Sequence, residues 1–210
     1  MNSGIFITLE GTEGSGKSLQ IERICDRLAQ EGIDYLRTLE PGGTEFGREI
    51  RRVLLTSGGS LREPVAELLL YLSDRYQHLR QKIEPALDQG RVVVSDRYHD
   101  ATLAYQAYAR GIGFELVDGL AELLNIRKPD LTLIFDVDIE TGLNRARLRN
   151  QAEQSNMGRF EDEDLSFHRR VQEGYRLLAQ REPERIRLID ASGSPGEVFQ
   201  RAWHPISELL

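Results

Sequence analysis

Gly11-Thr12-Glu13-Gly14-Ser15-Gly16-Lys17-Ser18 satisfies G-x-x-x-x-G-K-[ST] at every fixed position. It follows the apolar run Ile5 to Leu9 and precedes Leu19, Ile21, Ile24, Cys25 and Leu28, which recur at mostly helical spacing with Gly32 as a stop. Strand, glycine-rich loop and helix in that order form the setting in which backbone amides turn inward around phosphate oxygens. Glycines permit the turn, and the helix N-terminus adds partial positive charge. Lys17 can then reach the β- and γ-phosphates of a nucleoside triphosphate, and the Ser18 hydroxyl can ligate Mg²⁺. All eight residues from Gly11 to Ser18 are therefore candidates for holding ATP.

Outward from this loop, four more short runs have the character of buried parallel strands: Tyr35 to Thr38, Val92 to Ser95, Leu131 to Val137 and Ile186 to Asp190. Helical patterns cover Pro64 to Leu87, Phe114 to Leu124, Gly142 to Arg149, Leu165 to Ala179 and the tail from Gly196. Strands alternating with helices predict an α/β fold with a central parallel sheet of five strands and helices on both faces. Ligands then collect at the carboxyl ends of the strands. At 210 residues the chain is expected to be a single domain. The polar stretch Asn150 to Asp164 reads as a mobile excursion, and with the arginines before it a lid is expected at about 145–164.

Composition narrows the partners. No apolar run approaches the roughly 20 residues that a membrane helix needs, and no presequence is evident. A net charge of −7 argues against a nucleic-acid duplex, which usually demands a broad basic excess. The lone Cys25, on the apolar side of its helix, cannot form an internal disulfide, in keeping with a cytoplasmic protein. Small molecules are the expected partners.

A phosphate loop does not name the group that receives the γ-phosphoryl. The Asn-Lys-x-Asp segment of GTPases is absent, since none of the three lysines follows an asparagine. Asp96, after the strand Val92 to Ser95, could position an attacking water, and with Ser18 it is the second candidate metal ligand. The next residue, Arg97, puts a cation where an acceptor phosphate could sit. A nucleoside monophosphate needs no strong general base, because its phosphate has a second pKa of about 6. Alignment and charge neutralisation suffice, and Lys17, Arg97, Arg145, Arg147, Arg149 and Arg159 could supply the charge. Arg145 and Arg149 share a helix face, with Arg147 pointing elsewhere; a solvated helix face is the alternative reading of that cluster.

Four segments, in order, resemble the thymidylate kinase family: Gly11 to Ser18; Glu40-Pro41-Gly42-Gly43-Thr44; Asp96-Arg97-Tyr98 continuing to Ala104-Tyr105-Gln106; and Gly158-Arg159-Phe160-Glu161. The resemblance runs over nearly the whole chain. It implies the P-loop kinase fold, ATP-dependent phosphorylation of dTMP to dTDP with Mg²⁺, and a homodimer. By position, Tyr71 matches the aromatic residue that stacks on thymine and Arg75 the arginine that donates to a thymine carbonyl. Arg51 and Arg97 match arginines at the monophosphate, and Glu40 belongs to the loop that closes on the acceptor sugar and phosphate. Thr102 and Gln106 match positions facing the base, Tyr105 an aromatic near the deoxyribose 2′ position, and Glu13 an acidic loop position near Mg²⁺. The phosphate loop carries no arginine among Thr12, Glu13, Gly14 and Ser15, so the resemblance is to the bacterial type. In that type the lid supplies the catalytic arginine, here Arg149 or Arg145 before Arg147.

Overall fold

A computed structural model describes residues 4–56, 63–153, 159–160 and 162–210. In chain order the elements are β1 (Phe6–Gly11), α1 (Lys17–Gln30), β2 (Tyr35–Leu39), α2 (Glu45–Leu55), α3 (Pro64–His78), a π-helical turn (Leu79–Ile83), α4 (Glu84–Asp88) and β3 (Val92–Asp96). There follow α5 (His99–Thr102), a second π-helical segment (Leu103–Ala109), α6 (Phe114–Leu123), β4 (Leu131–Asp136), α7 (Ile139–Glu153), α8 (Leu165–Arg181), β5 (Ile186–Asp190) and α9 (Pro195–Ser207). All strand pairings are parallel, in the order β2-β3-β1-β4-β5.

Alternation along the central strands sorts the core. Ile7 and Leu9 of β1 join Val92 and Val94, Leu131, Leu133 and Phe135 under α1 and α9, where Ile21, Ile24, Cys25 and Leu28 are buried. The opposite face takes the intervening residues. There Phe6 packs with Val93 and Leu79, and Ile134 lies under α8 and the second π-helical segment. Thr8 is hydrogen-bonded to Thr132 across this face, and Glu10 follows it, fully buried.

Two helical stretches go beyond the patterns read from sequence. α2 buries only Gly47, Ile50 and Leu54, and its remaining positions are mostly charged, so its apolar stripe is thin. Thr44 caps it by accepting from Gly47 N, and a Cβ at Gly47 would stand 2.2 Å from Asp74 Oδ1. His99–Ala109 is almost wholly buried and switches to π geometry, which erases the 3.6-residue period. Asn150 does not begin a loop: α7 continues to Glu153, and Phe160 beyond it is buried. Gly158 and Glu161 lie outside the described residues.

Candidate active site

The carboxyl ends of β1, β2 and β3 open into a cavity of about 880 Å³. The turn from β1 to α1 forms one end of it. Gly14 adopts φ +67°, and a Cβ there would lie 1.9 Å from Gly142 O, so the loop is seated directly on the start of α7. Lys17 is buried with its Nζ donating to Gly11 O at 2.9 Å, Thr12 O at 2.9 Å and Ser15 Oγ at 3.2 Å. Burial, reinforced by Arg97, draws its amine down to about 8. A phosphate above the loop reverses that effect, because negative charge favours the protonated amine.

Arg97 extends from the end of β3 with a left-handed φ of +68°, uncommon for a side-chain-bearing residue and a mark of local strain. Its guanidinium donates to Glu13 Oε1 at 3.1 Å and to Tyr175 Oη at 3.2 Å, and lies 5.1 Å over the Tyr105 ring. Tyr105 Oη donates to both Glu13 oxygens, at 2.7 and 2.9 Å. Burial alone would raise the Glu13 carboxyl; His168, Arg97 and Lys17 outweigh it and hold the group at about 2. His168 Nδ1 is 3.6 Å away, beyond hydrogen-bond length but close enough to attract a carboxylate. Glu13 is thus an ionised acceptor that fixes Arg97 and Tyr105 together.

Glu10 supports Arg97 from behind. Its Oε1 accepts from Tyr98 N at 2.8 Å and Ala101 N at 3.2 Å, immediately after the strained residue, and its Oε2 accepts from Tyr175 Oη at 2.8 Å. Burial pushes this carboxyl up to about 7 despite Arg97.

Arg75, which also borders the cavity, is 1% exposed. Its Nε donates to Glu40 Oε2 at 2.9 Å and its Nη2 to Tyr98 O at 2.9 Å, which leaves Nη1 without a protein acceptor. Glu40 Oε1 is shared with His78 Nδ1 at 2.8 Å, and His78 Nε2 pairs with Thr38 Oγ1 at 2.6 Å. Glu40 therefore borders the cavity with both oxygens engaged and holds Arg75 by a buried ion pair. Arg51 donates to Pro41 O at 2.8 Å beside it. Tyr71 is half-buried, packed against the Leu68 and Leu72 cluster while also facing the cavity.

Of the sequence candidates, Glu13 to Ser18, Glu40, Arg51, Tyr71, Arg75, Asp96, Arg97, Thr102, Tyr105, Gln106, Arg145 and Arg149 all border this one cavity. Gly11 and Thr12 do not; they form the buried back of the loop, with Thr12 Oγ1 lacking a protein partner. Arg145, Arg147 and Arg149 are all exposed on α7, and of the three Arg145 and Arg149 border the cavity while Arg147 does not. Sequence reasoning passed over Glu10, Glu67, His78, His168 and Tyr175. Glu10 had a signal: an acidic residue in an otherwise apolar strand is rarely buried unless it is partnered.

As to a metal, Ser18 and Asp96 border the cavity beside the phosphate loop, and no group of three His, Cys, Asp or Glu that could hold an ion occurs among the described residues. This sparse oxygen set fits Mg²⁺, which usually keeps several waters and is held by one or two protein ligands plus substrate phosphates.

Comparison with known proteins agrees with this geometry. The family model described as thymidylate kinase matches residues 9–202. A thymidylate kinase of Syntrophotalea carbinolica is 50% identical over 208 residues, covering 98% of this chain and 96% of that protein. One from Desulfosudis oleivorans is 49% identical over 200 residues, covering 94% of each. The crystal structure of thymidylate kinase from Ehrlichia chaffeensis superposes with a TM-score of 0.78 at 30% identity, covering 98% of this chain and 99% of the other. A family model matched over residues 9–202 and relatives about half identical over nearly the whole chain place it in the thymidylate kinase family.

Proposed function

We propose that this protein transfers the γ-phosphoryl group of ATP to dTMP, giving dTDP and ADP. The observation that carries the reading is Arg75: fully buried, fixed by Glu40 and Tyr98 O, bordering the cavity, and left with Nη1 without a protein acceptor. A fixed donor in a cavity that Tyr71 also lines suits a neutral pyrimidine carrying a ring carbonyl. Thr102, Tyr105 and Gln106 border the same cavity, and this reading assigns Thr102 and Gln106 to the base and Tyr105 to the sugar.

Binding both nucleotides in one cavity aligns the acceptor phosphate with the γ-phosphorus, and transfer proceeds in line. The acceptor phosphate is largely dianionic at neutral pH, so no general base is required. Lys17 exchanges its loop carbonyls for β- and γ-phosphate oxygens. Arg97 and Arg51 bind the acceptor phosphate, while Glu13 and Tyr175 keep Arg97 from swinging. Arg145 and Arg149 approach the transferring group from α7 and neutralise charge that develops in the transition state. Ser18 and Asp96 are the residues that would hold Mg²⁺, and the ion would offset charge on the donor phosphates.

The same reading makes the protein a cytoplasmic homodimer. Exposed Phe46 on α2 and Val65, Leu69 and Tyr76 on α3 support a second copy as partner. Among the described residues no helix is long and apolar enough to cross a membrane.

Steady-state kinetics of wild type, Tyr71→Ala and Arg75→Ala with dTMP, dCMP and AMP test the assignment. Tyr71→Ala should lose about 1 to 3 kcal/mol of acceptor binding, the range for base stacking on an aromatic. Arg75→Ala should weaken dTMP and narrow its advantage over dCMP, whose exocyclic amine replaces the accepting carbonyl. Unchanged dTMP constants in both variants would remove the base site from the cavity wall at Tyr71 and Arg75.

A further inference from the structure

Glu67, on the first turn of α3, is 1% exposed. Its Oε1 accepts the Gln106 amide N–H at 2.9 Å and stands 3.6 Å from Arg110 Nε, and its Oε2 accepts from Arg159 Nη2 at 2.5 Å. Gln106 is likewise 1% exposed and borders the cavity together with Tyr71, Arg75 and Thr102. The π-helical segment Leu103–Ala109 carries it there beside Tyr105.

A carboxamide has a donating end and an accepting end of nearly the same shape, so its orientation is decided by its partners. A carboxylate only accepts. With Glu67 on one side, the nitrogen of Gln106 must turn toward α3, and the carbonyl oxygen is the end left for the cavity. Arg159 takes the other carboxylate oxygen and Arg110 stands beyond hydrogen-bond length from Oε1, so Gln106 is the donor that Oε1 accepts from. An acceptor on the cavity wall pairs with a base whose ring N3 carries hydrogen, as in thymine and uracil. It opposes cytosine, whose N3 is a bare acceptor.

We propose that Glu67 is a positioning residue for base specificity: by taking the Gln106 N–H it presents the Gln106 carbonyl oxygen to the acceptor base and selects pyrimidines with an N3–H donor. This rests on the dTMP reading above and adds a residue that does not itself touch the nucleotide. Leaving two acceptors face to face is costly in a buried site, which is how an indirect contact can discriminate.

The test measures kcat/KM of wild type, Glu67→Gln and Glu67→Asp with dTMP and with 5-methyl-2′-deoxycytidine 5′-monophosphate, a probe of the same outline with an inverted hydrogen-bonding edge. Glu67→Gln keeps the shape but can donate, so Gln106 is free to turn over. Its preference for dTMP over the probe should fall about tenfold or more, chiefly through a lower KM for the probe. Glu67→Asp packs less well yet remains an obligate acceptor, and should keep the preference within about threefold. KM for ATP should hold in both. A Glu67→Gln enzyme with the wild-type preference, or an Asp variant that loses it equally, overturns the inference while dTMP remains the best wild-type substrate. A wild type that prefers another acceptor overturns the dTMP reading itself. One readout needs no folded variant: wild-type enzyme should bind N3-methylthymidine 5′-monophosphate at least about tenfold more weakly than dTMP, and equal binding would also overturn the inference.

Discussion

Replacing Glu10 by glutamine preserves the shape of the side chain and removes its charge at a fully buried position in β1. Burial pushes the native carboxyl up to about 7, from an ordinary 4.5, against the opposing pull of Arg97. Between pH 4.5 and 7 the unfolded chain has therefore already released a proton that the native state retains. A native state that holds the extra proton loses stability as pH rises through that window, and the loss is complete above pH 7. Integrated from pH 5 to pH 8.5 it amounts to about 2.5 kcal/mol, an effect the glutamine variant lacks. Relative to wild type, Glu10→Gln should become more stable by about that amount between these two pH values, whatever its stability at the first. Function should move the other way. An amide nitrogen facing Tyr175 Oη makes that oxygen accept a second donor beside Arg97, and the hold on Arg97 slackens. One weakened buried hydrogen bond predicts a fall in kcat of about tenfold. Urea denaturation at pH 5 and pH 8.5, with initial rates at pH 7.5, supplies both numbers. A stability difference between variant and wild type that stays constant across pH would refute the buried proton on Glu10.

Lys17→Ala should abolish transfer and leave the circular dichroism spectrum intact, because only the phosphate charge partner is removed; the expected cost is about 3 kcal/mol or more in the transition state, read from kcat. Arg145→Ala and Arg149→Ala should depress kcat far more than they raise KM for dTMP, since a cation that arrives with closure acts on the transferring group, whereas Arg147→Ala, off the cavity, should leave both constants alone. Arg185→Met should destabilise the fold at pH 7 by about 3 kcal/mol, as it strands the buried Asp100 that Arg185 holds with two hydrogen bonds. Burial opposes that carboxylate, but Arg185 more than compensates and keeps it below its ordinary range, so the wild-type advantage is present above the unfolded pKa and fades as acid protonates Asp100; denaturation at pH 7 and pH 3 measures the change.

How much of this was legible in the sequence depended on whether a residue's role is local. The phosphate loop was, because its chemistry lies in eight consecutive residues and the turn they make. The central strands β1, β3 and β4 were, to within a residue or two, because runs buried on both faces read as continuous apolar segments. α2 was not, since its stripe is reduced to Ile50 and Leu54, and the helix at His99–Ala109 was not, since burial on all sides removes the contrast that marks a helix face. Tyr71, Arg75 and Gln106 came into view through family resemblance and not through spacing. The supporting carboxylates were hidden for a different reason. Glu10 meets Tyr175 across 165 positions of chain, and Glu67 meets Arg159 across 92, so only the folded chain reveals what they hold.

The measurement that bears most directly on the central claim is ADP release by the wild-type enzyme, coupled to a reporter, with ATP and Mg²⁺ and each of dTMP, dUMP, dCMP and AMP in turn. dTMP should give the highest kcat/KM, with dUMP behind it by the modest factor that one methyl group supports, about 1 kcal/mol, and with dCMP and AMP far lower. ADP release that proceeds equally without an acceptor, or that is fastest with AMP or dCMP, would contradict the account.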